Sequence, residues 1–157
     1  MDPKKLPPLR YFTHSVDLQL RFNDVDVLGH LNNTVYFSFY DTGKAYFFEH
    51  IMESPMQWKH VDCVIANVDC AYISPIYFGE QIQVWTRVSE IHDKSFKLQQ
   101  VLVEKQTGEI KSACETVMVS FDAEKREAVP MKDEWRRRLT SALIQEHCEP
   151  NPLNTKH

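Results

Sequence analysis

Val16, Leu18, Leu20 and Phe22 are apolar, while Asp17, Gln19 and Arg21 between them are polar. A period of two belongs to a strand with one buried face, so a strand is predicted over residues 13–22. The period then changes. Across residues 35–52, Val35, Phe39 and Tyr46, together with Tyr36, Tyr40 and Phe47, follow helical spacing. They predict a long helix buried on several sides, as a wrapping sheet would bury it. Asn32, Asn33 or Thr34 supplies its N-cap, because a side-chain oxygen there accepts from the unsatisfied first-turn amides. Glu53-Ser-Pro-Met ends it, since proline cannot continue a helix. Gly43 inside it costs about 1 kcal/mol relative to alanine. Close approach of the helix to a sheet would offset that cost.

After a connection over residues 57–62, the two-residue period returns. Residues 63–73 read as a strand with Val64, Ala66, Val68, Cys70 and Tyr72 on one face, broken by Ser74-Pro-Ile-Tyr-Phe-Gly-Glu. Residues 81–91, 96–104 and 110–121 follow as strands, joined by tight turns at 92–95 and 105–109. Pro130 opens a closing helix to about residue 146, with Trp135, Leu139 and Leu143 as its apolar stripe. Consecutive strands on short turns form an antiparallel meander. The fold class is α+β: an antiparallel curved sheet wrapped around one long central helix, plus a C-terminal helix. Residues 13–147 are expected to form a single domain, after a loose proline-rich tail at 1–12 and before a tail at 148–157.

At 157 residues the chain suffices for one domain with its own core. A formal charge of −4 argues against a nucleic-acid coat or a polybasic membrane anchor. No apolar run is long enough for a membrane span. The N-terminus has a basic start but no apolar core or small-residue cleavage site, so a cytoplasmic location is expected. Cys63, Cys70, Cys114 and Cys148 lack close-paired metal spacing and read as reduced, buried thiols. His60, Asp62 and Cys63 lack a second ligand cluster, so no metal site is expected.

Chemistry concentrates where the two periods meet. Asp24, Asp26, Gly29 and His30 lie between strand and helix, against the positive end of the helix dipole, which favours an anion or a developing oxyanion. Asp24 reads as structural, bonding loop amides or Arg21. Gly29 suits a backbone conformation closed to other residues. His30 either polarises the site or holds the loop; Asn32 and Asn33 cap and brace; Tyr36 packs. Lys94 and Ser95 lie in a hairpin turn, and Arg136-Arg137-Arg138 reads as a solvated face.

The run Asp24-Val-Asp26-Val-Leu-Gly29-His30-Leu-Asn32-Asn33-Thr-Val-Tyr36 resembles the D-x-D-x-x-G-H-x-N-N-x-x-Y signature of hotdog-fold thioesterases. The nearest group is the 4-hydroxybenzoyl-CoA thioesterase-like acyl-CoA hydrolases. Tyr72-Ile-Ser-Pro-Ile-Tyr-Phe-Gly-Glu-Gln-Ile resembles a second run of that family. The resemblance implies an acyl-CoA thioesterase that needs no metal or cofactor and works as a homodimer or homotetramer. Asp26 would then be general base or nucleophile, with His30 and Asn33 completing the catalytic group and the amides near Asn33 polarising the carbonyl. Gly29, Asn32, Tyr36, Lys94 and Ser95 would contact substrate. The motif is also similar to that of plant acyl-carrier-protein thioesterases, although Leu28 stands where those have asparagine. Alternatives on the same fold are an acyl-carrier-protein thioesterase and a non-catalytic acyl-CoA-binding protein.

Overall fold

A computed structural model of the chain describes residues 1–57 and 62–143. The expected C-terminal tail, Cys148, His60 and the last turn of the expected closing helix lie outside the described residues.

The elements are β1 (His14–Leu18), α1 (Asn33–Met52), β2 (Cys63–Tyr72), β3 (Ile82–Ile91), β4 (Ser95–Glu104), β5 (Ile110–Asp122), β6 (Glu127–Ala128) and α2 (Asp133–Ala142). They form one antiparallel sheet in the order β1-β3-β4-β5-β2, with β6 paired to β5. The helix lies against the inner face of this sheet, as its apolar circumference requires. Its first half packs Tyr36, Phe39 and Tyr40 against Ile82, Val84 and Leu102. Its second half packs Phe47, Phe48 and Ile51 against Val88, Phe96, Leu98 and Leu139. Each such side chain contributes roughly 1.5–3 kcal/mol when fully buried. Gly43 marks the closest approach: a Cβ there would stand 2.7 Å from Val84 and 2.8 Å from the Gln100 amide. The glycine in mid-helix is therefore explained by the sheet beneath it.

Three expectations need correction. The first concerns β2, where Ile65 pairs with Met118 but Asn67 with Val117, so Ala66 is the extra residue of a bulge. Beyond it the alternation reverses, and Cys63 and Ile65 share the inner face with Val68, Cys70 and Tyr72, opposite Ser120 and Met118. Val64 lies on the other face. The second concerns residues 1–12, which are not loose. Phe12 is buried with Val101, Val103 and Ala113, and Met1, Leu6 and Leu9 pack against that group. The segment thus covers the outer face of the sheet. The third concerns the arginine run, only part of which is a solvated face. Arg136 donates to the carbonyls of His92 and Asp93 (2.9 and 2.8 Å), and Arg138 donates to Ile51 O (3.2 Å). These two side chains clamp α2 to the β3–β4 turn and to the end of α1.

Candidate active site

The segment between β1 and α1 is held rigid from its start. One 3-10 turn, Phe22–Asp24, buries the Asp24 carboxylate, which accepts from Arg21 N (2.8 Å), Nε (3.3 Å) and Nη2 (2.9 Å). Hydrogen bonding from the Arg21 guanidinium holds this carboxyl below its usual range, against the opposing effect of burial. Asp24 is structural, as its place beside Arg21 suggested. Its carbonyl accepts from Asn32 N (2.8 Å), so the segment begins and ends at the same point.

Between them the chain makes a miniature hairpin. Val25 pairs with Leu31, Asp26 N donates to His30 O (2.8 Å), and Gly29 N donates to Asp26 O (3.0 Å). This is a tight turn closed by a residue with positive φ, and Gly29 sits at +75°. A Cβ at Gly29 would meet no atom within 4 Å, so it is the backbone conformation that favours glycine. Asp26 Oδ1 accepts from Leu28 N (2.8 Å) and His30 N (3.2 Å). Its Oδ2 has no partner among the described residues. One carboxylate oxygen fixes the side chain, and the other is left for solvent or a ligand.

The hairpin is docked on residues 74–80. Leu31 N donates to Ile76 O (2.7 Å), His30 pairs with Tyr77 along the backbone, and the two rings meet edge to face at 4.9 Å. That loop is braced from beneath by buried Lys111, whose ammonium donates to Pro75 O (3.3 Å) and Glu80 Oε1 (2.9 Å). Asn32 is the N-cap of α1 and its Oδ1 accepts from Thr34 N (3.0 Å). Val35 N donates to Asn32 O (2.9 Å). Asn33 N–H is thereby the first-turn amide left without a partner among the described residues.

These groups line an open cleft of about 360 Å³, formed by Asp26, His30, Leu31, Asn32, Asn33, Tyr36 and residues 72–75. A second cleft, about 560 Å³, also has Asp26 in its wall and is otherwise lined by Phe22, Asn23, Val25, Val27, Gly29 and Phe78. Asp26 lines both. Tyr72, not singled out from the sequence as a site residue, forms one wall: its hydroxyl donates to Asn33 O (3.1 Å) and its ring meets Tyr36 edge to face at 4.9 Å. It is 39 residues from Asn33 in the chain, and only the sheet register brings it there. The signals available in the sequence were the proline break that follows it and the family-like run that it opens.

Asp26, Gly29, His30, Asn32, Asn33 and Tyr36 are thus brought together. Lys94 and Ser95 are not. Ser95 pairs with Val119 of β5, whereas Tyr72 pairs with Ser112, which separates them by roughly 23 Å along the strand at about 3.3 Å per residue. Lys94 Nζ donates instead to Ala128 O (3.2 Å). Among the described residues no three His, Cys, Asp or Glu side chains cluster as metal ligands would, and no helix is long and apolar enough to cross a membrane.

Comparison with known proteins bears on the family and the fold. The profile of the family described as "Thioesterase-like superfamily" matches residues 20–139. The uncharacterized protein YsmA of Bacillus subtilis (strain 168) is 25% identical over 78% of this chain and 82% of its own. The long-chain acyl-CoA thioesterase FadM of Escherichia coli (strain K12) is 22% identical over 78% of this chain and 93% of its own. A thioesterase from Thermus thermophilus, solved in complex with coenzyme A and Zn, superposes with a TM-score of 0.71 at 26% identity, over 80% of this chain and 95% of that one. A predicted thioesterase from Bacillus stearothermophilus gives a TM-score of 0.75 at 22% identity, over 83% and 96%. The sheet wrapped on α1 is therefore a hotdog fold.

Proposed function

This chain belongs to the thioesterase-like superfamily, and from that premise we propose that it is an acyl-CoA thioesterase whose reaction centres on Asp26. The observation that carries this reading is the unpartnered Oδ2 of Asp26, a residue that lines two clefts, one of them bordered by the unpaired Asn33 N–H. A thioester has one polar and one apolar arm, and the two clefts differ in the same way.

A thioester carbonyl is already electrophilic. Its hydrolysis needs an oriented water or carboxylate and a donor for the oxyanion. In this reading Asp26 Oδ2 takes a proton from water as the water oxygen bonds to the carbonyl carbon. The carbonyl oxygen becomes an oxyanion facing Asn33 N–H. When the tetrahedral species collapses, the carbon–sulfur bond breaks and the proton held by Asp26 passes to the thiolate. Attack by Asp26 itself would bond its oxygen to the carbonyl carbon, break the carbon–sulfur bond and expel the thiolate, which takes a proton from water. Water then opens the resulting anhydride, and the same residue serves both routes. His30 acts mainly through its backbone, which fixes Asp26 from both sides, while its ring seats the hairpin against Tyr77.

The reading includes assembly of two or four copies, supported by the exposed edge of β2 beside the cleft. The decisive experiment measures release of free coenzyme A from a panel of acyl-CoAs, alongside matched acyl-carrier-protein substrates. Asp26→Asn keeps an oxygen to accept from Leu28 and His30 but cannot act as base, and its turnover is expected to fall at least about a hundredfold. Wild-type turnover in that variant would overturn the assignment. Faster turnover of the carrier-protein substrates would reassign the donor.

A further inference from the structure

Cys70 of β2 stands directly opposite Cys114 of β5 in the antiparallel register. Directly opposed residues share a face of the sheet, and this is the inner face: Cys114 is fully buried in the cluster around α1, and Cys70 packs against that cluster. Opposed antiparallel residues place their Cα atoms about 4.5–5.5 Å apart, within the roughly 4.4–6.8 Å that a disulfide spans. The backbone is thus already where a bridge would need it. Both sulfurs are free. Cys70 Sγ lies 3.8 Å from Ser112 Oγ, and Cys114 Sγ lies 3.8 Å from Thr116 Oγ1.

The two thiols differ in a way that assigns roles. Cys70 is half-buried on an edge strand, whereas Cys114 is sealed beneath α1. Hydrogen bonding from Cys114, and secondarily from the Ser112 and Tyr40 hydroxyls, brings Cys70 down to about 7, whereas the same contact with Cys70 and burial push Cys114 up. Cys63, on the same strand, faces Ser120 rather than a thiol, and burial pushes it up to about 11.

We propose that Cys70 and Cys114 are a reversible dithiol–disulfide site, oxidised by low-molecular-weight disulfides of the glutathione class, with Cys70 attacking and Cys114 resolving. The Cys70 thiolate bonds to one sulfur of glutathione disulfide, whose S–S bond breaks, and one glutathione leaves and is protonated. Cys114 then loses its proton and attacks the Cys70 sulfur, expelling the second glutathione. The two protein thiols lose two electrons and two protons; one glutathione disulfide becomes two thiols. The bridge would tie the edge strand to β5 two residues from Tyr72, the cleft wall.

The test uses the full chain, reduced, desalted and incubated with glutathione disulfide at neutral pH, then quenched with N-ethylmaleimide and mapped by mass spectrometry. The expected result is the loss of two alkylatable thiols without gain of a glutathionyl group, with the Cys70 and Cys114 peptides joined until dithiothreitol separates them. Cys114→Ser should halt at a mixed disulfide on Cys70, and Cys70→Ser should leave Cys114 unmodified. Circular dichroism checks that both serine variants are folded; where one is not, the wild-type map alone decides. No joined peptide in the wild type, or a bridge from Cys70 to Cys63 or Cys148, would overturn the proposal. The readout is thiol chemistry, so it stands or falls separately from thioester hydrolysis.

Discussion

The amide of Asn33 is the most exposed part of the proposed mechanism, because it can be deleted without touching a side chain. Proline is well accepted at the first helical position, where its missing N–H would be unpaired anyway. Asn32 already has φ −60° and ψ 134°, the extended backbone that a following proline demands. Asn33→Pro should therefore leave the melting temperature nearly unchanged while lowering kcat by about 10²–10³, the usual loss for one oxyanion donor. Thermal unfolding and steady-state kinetics on the same preparation check both halves; unchanged kcat would mean that the oxyanion is held elsewhere. At this scale much was legible. The order of acid, glycine, histidine and paired asparagines marks the turn and cap, since each residue there answers a local demand of the backbone. Tyr72 was not, because it reaches Asn33 through strand pairing.

At the scale of elements, β1 and α1 are joined by a histidine contact whose contribution should follow pH. His14 stacks on His50 of the last turn of α1, with ring centroids 4.8 Å apart and planes at 28°, and His14 Nδ1 is buried without a partner among the described residues. Burial first, and the neighbouring His50 second, lower the pKa of His14 below 6.5. A histidine with a lowered folded pKa binds fewer protons folded than unfolded. Its contribution is complete above the unfolded value and is lost as pH falls through the folded one. The urea midpoint should therefore drop as pH falls from about 7.5 towards 5, and His14→Phe should flatten that part of the profile. An equally steep profile in the variant would place the sensitivity in other groups. The carboxylates of Asp24, Glu90 and Glu109 are lowered too, by Arg21, Lys97 and Lys111 respectively, but their effect lies in the more acid window below about pH 5. The order of elements was readable because each has its own period. The inner face of β2 was not, because a bulge depends on the register of the partner strand. The packing of residues 1–12 is not legible for another reason: a proline-rich run reads as a tail, and the partners of Phe12, which are Val101, Val103 and Ala113, come from strands far along the chain.

For the whole molecule the open question is the unpaired side of β2. This ten-residue strand has β5 on one side and no strand on the other among the described residues. Val64, Ile65 and Val68 are 44%, 47% and 36% exposed on it, and Asp69 is its only charge. Edge strands are normally blunted by lysine, proline, shortness or a cover, and one this long and apolar invites another strand. An identical β2 related by a two-fold axis is the simplest occupant, because the same patch then serves both copies. Tyr72 ends this strand and forms the cleft wall, so pairing there would place a second copy beside Asp26. Val64→Lys with Val68→Lys puts a charge on each face of the strand and brings it towards its own copy across the axis. The double variant should sediment as a monomer where the wild type sediments as a dimer or larger, and its acyl-CoA hydrolysis should fall with the dimer fraction rather than with the melting temperature. A wild type that is monomeric at assay concentrations and fully active would show that a single copy completes the site.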